Sequence, residues 1–164
     1  MAVRARRTAV GVAVLAVLTA LAVGAVLWLM RGEAPDEVAE DYLAATWHGD
    51  DEAACDLSAA SWRHVLYNGR PYADCAAYAE EAGKERDDDG FAAFEPDTDV
   101  VVSTRILNED DESVRVDYVV ELRYHGDDRA GFDALWQGGG ATDRGTIELR
   151  KVDGEWRIAG VDAG

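Results

Sequence analysis

Residues Thr8 to Met30, TAVGVAVLAVLTALAVGAVLWLM, run for 23 positions without a charged side chain. About 20 apolar residues at helical rise cross the hydrocarbon core of a bilayer, so this run is long enough to span one. Inside lipid every backbone N–H and C=O must be satisfied within the segment itself, and the run is therefore predicted to be helical. Trp28 sits near one end, where an aromatic ring suits the interface. Arg4, Arg6 and Arg7 precede the run, while Arg31 alone follows closely before Glu33, Asp36 and Glu37. By the positive-inside rule the N-terminus is expected in the cytoplasm and the chain from about Arg31 onward outside. The competing reading is a cleaved signal peptide, with Ala20-Leu21-Ala22 as an A-x-A-like site. An h-region is typically about 7–15 residues, and the apolar run continues well past that, which favours an uncleaved anchor. No cysteine precedes Cys55, so a lipid-modified cysteine anchor is excluded. The expected organisation is a cytoplasmic tip and anchor over 1–31, a linker over 32–35, and an extracytoplasmic domain over 36–164.

Charge divides along the same boundary. All 33 acidic residues follow Met30, against 13 basic ones, a net charge of −20 for the outer part. A field of that sign repels phosphate backbones and anionic headgroups, which excludes nucleic acid as a partner. It serves solubility, and would also attract cations or a basic protein.

Cys55 and Cys75 are the two cysteines of the chain. An even count in an oxidising compartment reads as a disulfide, here a staple between two predicted helices. The alternative, a reactive thiol near His64 or His48, conflicts with the acidic surroundings, which raise a thiol pKa rather than lower it. Metal ligation lacks both a CxxC and a nearby histidine spacing.

The outer part is predicted to be α+β: three helices and then an antiparallel sheet of about four strands. Pro35 suits a first helical position, and Val38, Tyr42, Ala45 and Thr46 repeat at helical spacing up to Gly49. Asp50 or Asp51 caps a second helix through Cys55 and Leu57 toward Trp62 and Leu66, with a break plausible around Ser58 to Ser61. A third helix is predicted from about Tyr72 to Glu85. The period then changes to two. Val100, Val102, Thr104 and Ile106 share one face, as do Val114, Val116, Tyr118, Val120, Leu122 and Tyr124, with a polar turn at Glu109-Asp110-Asp111. Ile147 and Leu149, with Val152 a further candidate, form a third strand, Asp153-Gly154 signals a tight turn, and Trp156 and Ile158 share a face of the last strand. Residues 126–145 are the least regular, with Phe132, Leu135 and Trp136 in a short helix or irregular strand.

This layout resembles the nuclear-transport-factor-2-like fold, a cone of curved sheet wrapped around helices. The residues that carry the likeness are VAEDYLAATWHGD (Val38–Asp50), the Cys-bearing C-D-L and D-C-A-A-Y segments, and IELRKVDGEWRIAGV (Ile147–Val161). The closing hairpin is similar to that of small extracytoplasmic members from high-GC Gram-positive bacteria. The resemblance covers most of residues 36–162 and speaks to fold rather than function.

Some relatives of this fold are isomerases or dehydratases with acids and tyrosines inside the cone. Tyr42, Trp47, Tyr118, Tyr124 and Trp136 are the candidate pocket-lining residues here. Asp117 and His125 are the nearby acid and base, but period-two spacing puts both on the strand face opposite Tyr118 and Tyr124. No Ser-His-Asp spacing, GxSxG, HExxH or phosphate loop is present, and no catalytic residue, metal or cofactor is assigned. His48 ends a helix, where a histidine complements the dipole, and His64 is expected on a helix surface. Asp87–Asp89, Glu109–Glu112 and Asp127-Asp128 lack the alternating calcium-loop pattern and read as solvated turns. The expected function is a noncatalytic, membrane-tethered binding or scaffold module of the cell envelope, with an envelope protein or small apolar ligand as partner. The alternatives are a small isomerase- or dehydratase-like enzyme and a subunit of a secretion or cell-wall machine.

Overall fold

In the computed structural model, which describes residues 33–86, 90–136 and 140–164, Pro35 opens the first helix. Helix α1 (Pro35–Trp47) has Pro35 in its first turn, and Glu37 accepts a 3.1 Å hydrogen bond from the Ala34 amide. It buries Val38, Ala39, Tyr42 and Leu43, one stripe at helical spacing. Gly49, at φ +70°, ends it: the left-handed turn lets the Asp50 amide reach the Ala45 carbonyl at 2.9 Å. Helix α2 (Asp51–Asp56) is capped by Asp50, whose Oδ1 accepts from the Ala53 amide.

The second predicted helix is two. Helix α3 (Ala60–Leu66) is separated from α2 at Leu57–Ala59, and the cause is tertiary. Ile158 of the last strand donates to the Leu57 carbonyl at 2.9 Å and accepts from the Ala59 amide at 2.8 Å, with Ser58 bridged in parallel to Ile158. Ser58 Oγ bonds the Ala54 carbonyl, closing α2 from within. The third predicted helix starts later than Tyr72. Helix α4 (Cys75–Arg86) begins where Asp74 Oδ1 accepts from the Ala77 amide. Two short 3₁₀ turns, Gly90–Ala93 and Glu95–Asp97, lead into the sheet.

Strands β1 (Thr98–Glu109), β2 (Ser113–Tyr124), β3 (Thr142–Val152) and β4 (Glu155–Ala163) form one antiparallel sheet in the order β1-β2-β3-β4. Between β2 and β3 lies helix α5 (Arg129–Leu135), which resolves the ambiguous stretch around Phe132 as a helix, capped by Asp128. Asp153 and Gly154 take φ of 55° and 90°, the left-handed pair that a two-residue hairpin turn requires. Asp110 organises the β1–β2 turn by accepting from the Glu112 and Ser113 amides and the Ser113 hydroxyl, bonds that hold its carboxyl below the usual range.

Helix α1 packs on the sheet's inner face, which presents Val114, Val116, Tyr118, Val120 and Leu122 from β2, Ile147 and Leu149 from β3 and Ile158 from β4. Phe132, Ile147, Leu149 and Ile158 are fully enclosed, each burial contributing about 1.5–3 kcal/mol. Ile106 keeps its expected place on this face, paired with the buried Val116, but is 38% exposed; beyond it the register skips Leu107, a bulge that ends the alternation.

The architecture is thus α+β, with five α-helices and a four-stranded antiparallel sheet among the described residues. No helix among them is long and apolar enough to cross a membrane. The anchor expected at 8–30, the acidic run Asp87–Asp89 and residues 137–139 lie outside the described residues.

Candidate functional site

The five candidate pocket residues fall into two groups. Trp47, Tyr124 and Trp136 meet in an aromatic cluster at one end of the sheet. Trp47, at the last turn of α1, lies 6.3 Å from Trp136 and meets Phe91 edge-on at 5.7 Å. Phe132 of α5 contacts Trp136 at 5.6 Å and stacks on Tyr124 at 4.8 Å with an interplanar angle of 11°. Phe94 closes the group edge-on to both Tyr124 and Phe132. Sequence reading identified three of these rings. Phe91 sits on the first 3₁₀ turn and Phe94 between the two, in a stretch that carries no period to betray an inward face. The Trp136 indole Nε1 is buried and finds no hydrogen-bond partner among the described residues.

Tyr42 and Tyr118 form the second group. Both are almost fully buried. Trp62 Nε1 donates to the Tyr42 hydroxyl at 3.0 Å, tying α3 to α1. Burial raises the Tyr42 phenol, against the opposing effect of hydrogen bonds with Trp62 and Thr46. The Tyr118 hydroxyl donates to Asp143 Oδ2 at 3.2 Å. Its phenol is pushed up to about 12, first by burial, then by the Asp143 carboxylate as charge and as acceptor, then by Tyr42 and Asp162. A phenol held so firmly protonated is a hydrogen-bond donor, not a base, at neutral pH.

Asp143 went unnoticed in the sequence because it precedes the apolar residues that announce β3. Its strand register brings it to the inner face: Tyr118 pairs with Gly145, and Asp143 lies two residues along on the same side. Gly145 makes the approach possible. A Cβ there would fall 2.9 Å from the Tyr118 hydroxyl and 2.2 Å from the Asp162 carbonyl oxygen.

Asp117 and His125 do not join either group. Asp117 pairs with Arg105 at 2.7 Å and accepts from Thr146 on the outer face, and His125 Nε2 meets Asp99 at 2.8 Å in solvent. His48 lies 3.9 Å from Glu95, and His64 is exposed. Asp110 and Asp128 direct their carboxylates to backbone amides. Among the described residues no group of three or more His, Cys, Asp or Glu converges as metal ligands would.

Cys55 and Cys75 form a disulfide that joins α2 to the first residue of α4, with Cα atoms 5.5 Å apart. Both are buried. The Tyr67 hydroxyl lies 3.2 Å from Cys55 Sγ, and its ring packs at 5.0 Å against each of Tyr72 and Tyr78. Tyr67 thus lies against both sulfurs, and Tyr72 and Tyr78 pack on its ring. Spacing alone conceals this cluster, because Tyr67 and Tyr72 lie in the connection between α3 and α4.

No family model matches the chain, and neither does any curated protein. Among solved structures it is similar to a de novo designed protein with curved beta-sheet, at 17% identity and a TM-score of 0.36, over 76% of this chain and 93% of that one.

Proposed function

We propose that this protein is a noncatalytic, membrane-tethered binding or scaffold module on the outer side of a bacterial cell membrane, anchored through residues 8–30 with its N-terminus in the cytoplasm. The observation that carries the reading is the enclosed Cys55–Cys75 disulfide, a bond that persists in oxidising compartments and is rare in a reducing cytosol. The uncharged run preceding the domain supports the tether. The filled inner face supports a noncatalytic role: Phe132, Ile147, Leu149 and Ile158 take up the space that a cone enzyme keeps for substrate. The nuclear-transport-factor-2-like resemblance fits the helices-on-sheet layout. The partner is an envelope protein, in keeping with a subunit of a secretion or cell-wall machine, or a small apolar ligand.

Affinity capture of the tagged, membrane-embedded protein after crosslinking tests this. A reproducible envelope partner is the expected outcome, and repeated capture of nothing counts against it. In intact cells both cysteines are expected to resist a thiol-alkylating reagent until a reductant is added. Free thiols at both positions would remove the compartment assignment.

One observation favours a second reading, a small isomerase- or dehydratase-like enzyme: Asp143 brings a half-buried carboxylate to the inner face beside Tyr118. A small apolar carbonyl compound that raises the melting temperature of the native protein but not of Asp143→Asn would favour it.

A further inference from the structure

The outer face of the sheet is hollowed at one level by two bulges. On β1 the register passes from Ile106↔Val116 to Asn108↔Arg115, leaving Leu107 extra. On β4 it passes from Glu148↔Gly160 to Leu149↔Ile158, leaving Ala159 extra. Both insertions adjoin the same cross-strand row, Asn108–Arg115–Glu148–Gly160. A bulge bends its strand and increases local twist, and here the two edge strands bend at one row. That row lies in an open trough of about 390 Å³, within the range of small-ligand sites. Gly160 keeps the floor clear, since a Cβ built there meets nothing within 4 Å.

The charges in the trough are unequally used. Asp110 is committed to the Glu112 and Ser113 groups, and Glu148 Oε1 to both Nε and Nη2 of Arg150. Arg115 and Asp162 have neither hydrogen-bond nor ion-pair partners for their side chains among the described residues. They stand two strands apart and two residues out of step, with strands about 4.8 Å apart and residues about 3.4 Å along. A plain anion reaching Arg115 would be opposed by the net negative charge of the domain, and a plain cation at Asp162 by the guanidinium. A ligand with a carboxylate at one end and an ammonium at the other meets both without net repulsion. Two extended residues span about 7 Å, which suits the gap once the long arginine side chain is counted.

We propose that this trough binds a short zwitterionic peptide, its carboxylate on Arg115 and its ammonium on Asp162. The site is independent of the Tyr42–Tyr118 pair and of the compartment in which the domain resides.

The test is amide NMR of the full chain in detergent micelles, titrated with alanyl-alanine, with N-acetyl-alanyl-alanine, and with N-acetyl-alanyl-alanine amide. Saturable shifts are expected at Asn108, Arg115, Glu148, Gly160 and Asp162 with the free dipeptide, and binding about tenfold or more weaker for either capped form. Arg115→Ala and Asp162→Asn, both at exposed side chains, should each abolish the preference for free termini. Gly160→Leu should block all three ligands with both charges in place, and amide shifts elsewhere report that each variant is folded. Absence of saturable shifts, equal response to the doubly capped peptide, or undiminished binding by Arg115→Ala would overturn the proposal.

Discussion

The hydroxyl of Tyr118 donates to Oδ2 of Asp143 at 3.2 Å, a bond between β2 and β3 on the sheet's inner face. Burial and the adjacent carboxylate both disfavour the phenolate, so Tyr118 titrates at about 12 rather than near 10. In the unfolded chain it loses its proton first, and between those pH values the folded state binds more protons than the unfolded one. The contribution is therefore complete below about pH 10 and is lost as pH rises toward 12. Denaturation midpoints should fall across that window in the native protein and fall less in Tyr118→Phe. Absorbance titration at the phenolate band should show Tyr118 titrating late, and Asp143→Asn should lower its midpoint while burial keeps it above the ordinary value. A Tyr118 midpoint unmoved by Asp143→Asn would contradict the assigned pair.

Gly145 makes room for that phenol. Gly145→Ala sets a methyl against the Asp162 backbone carbonyl, which a side-chain rotation does not relieve. Overpacking of this kind costs about 1–3 kcal/mol. Urea denaturation should show the loss. Gly160→Ala on the neighbouring strand, where a Cβ has open space, should change stability far less.

The Cys55–Cys75 bridge closes a sequence separation of 20 residues. Constraint of the unfolded chain by a loop of that length is worth about 3 kcal/mol. The Cys55→Ser, Cys75→Ser double variant should lose about that much in urea denaturation. Reduction of the native protein should produce a similar loss, with slow onset because both cysteines are buried.

Trp136 presents a contrast between two substitutions. Its indole N–H is buried without a partner among the described residues, and its ring packs against Trp47, Phe91 and Phe132. Trp136→Phe removes the orphaned donor and keeps a ring, and should cost less than about 1 kcal/mol. Trp136→Ala empties the contact and should cost about 3 kcal/mol. Equal losses in the two thermal melts would show that the N–H is bonded in solution.

Much of the chain is governed by local periodicity. The alternation from Val114 to Tyr124 and the Asp153-Gly154 turn each express a preference of a few neighbouring residues, and both are present. The cysteine count likewise anticipated the disulfide, because it left one intramolecular pairing. What periodicity leaves open involves groups distant in the chain. The break that the sequence allows around Ser58 to Ser61 is fixed by Ile158, whose backbone groups capture those of Leu57 and Ala59 across a hundred residues. The bulge at Leu107 interrupts the alternation of β1 beyond Ile106, because pairing with β2 sets where an extra residue is inserted. Asp143 reaches Tyr118 through the β2–β3 register, and the five rings expected around one pocket separate into an aromatic end cluster and a phenol pair. Periodicity establishes which face of an element is apolar. Which residues of two such faces meet depends on register and packing, and those exist only once the strands have paired and α1 has settled on them.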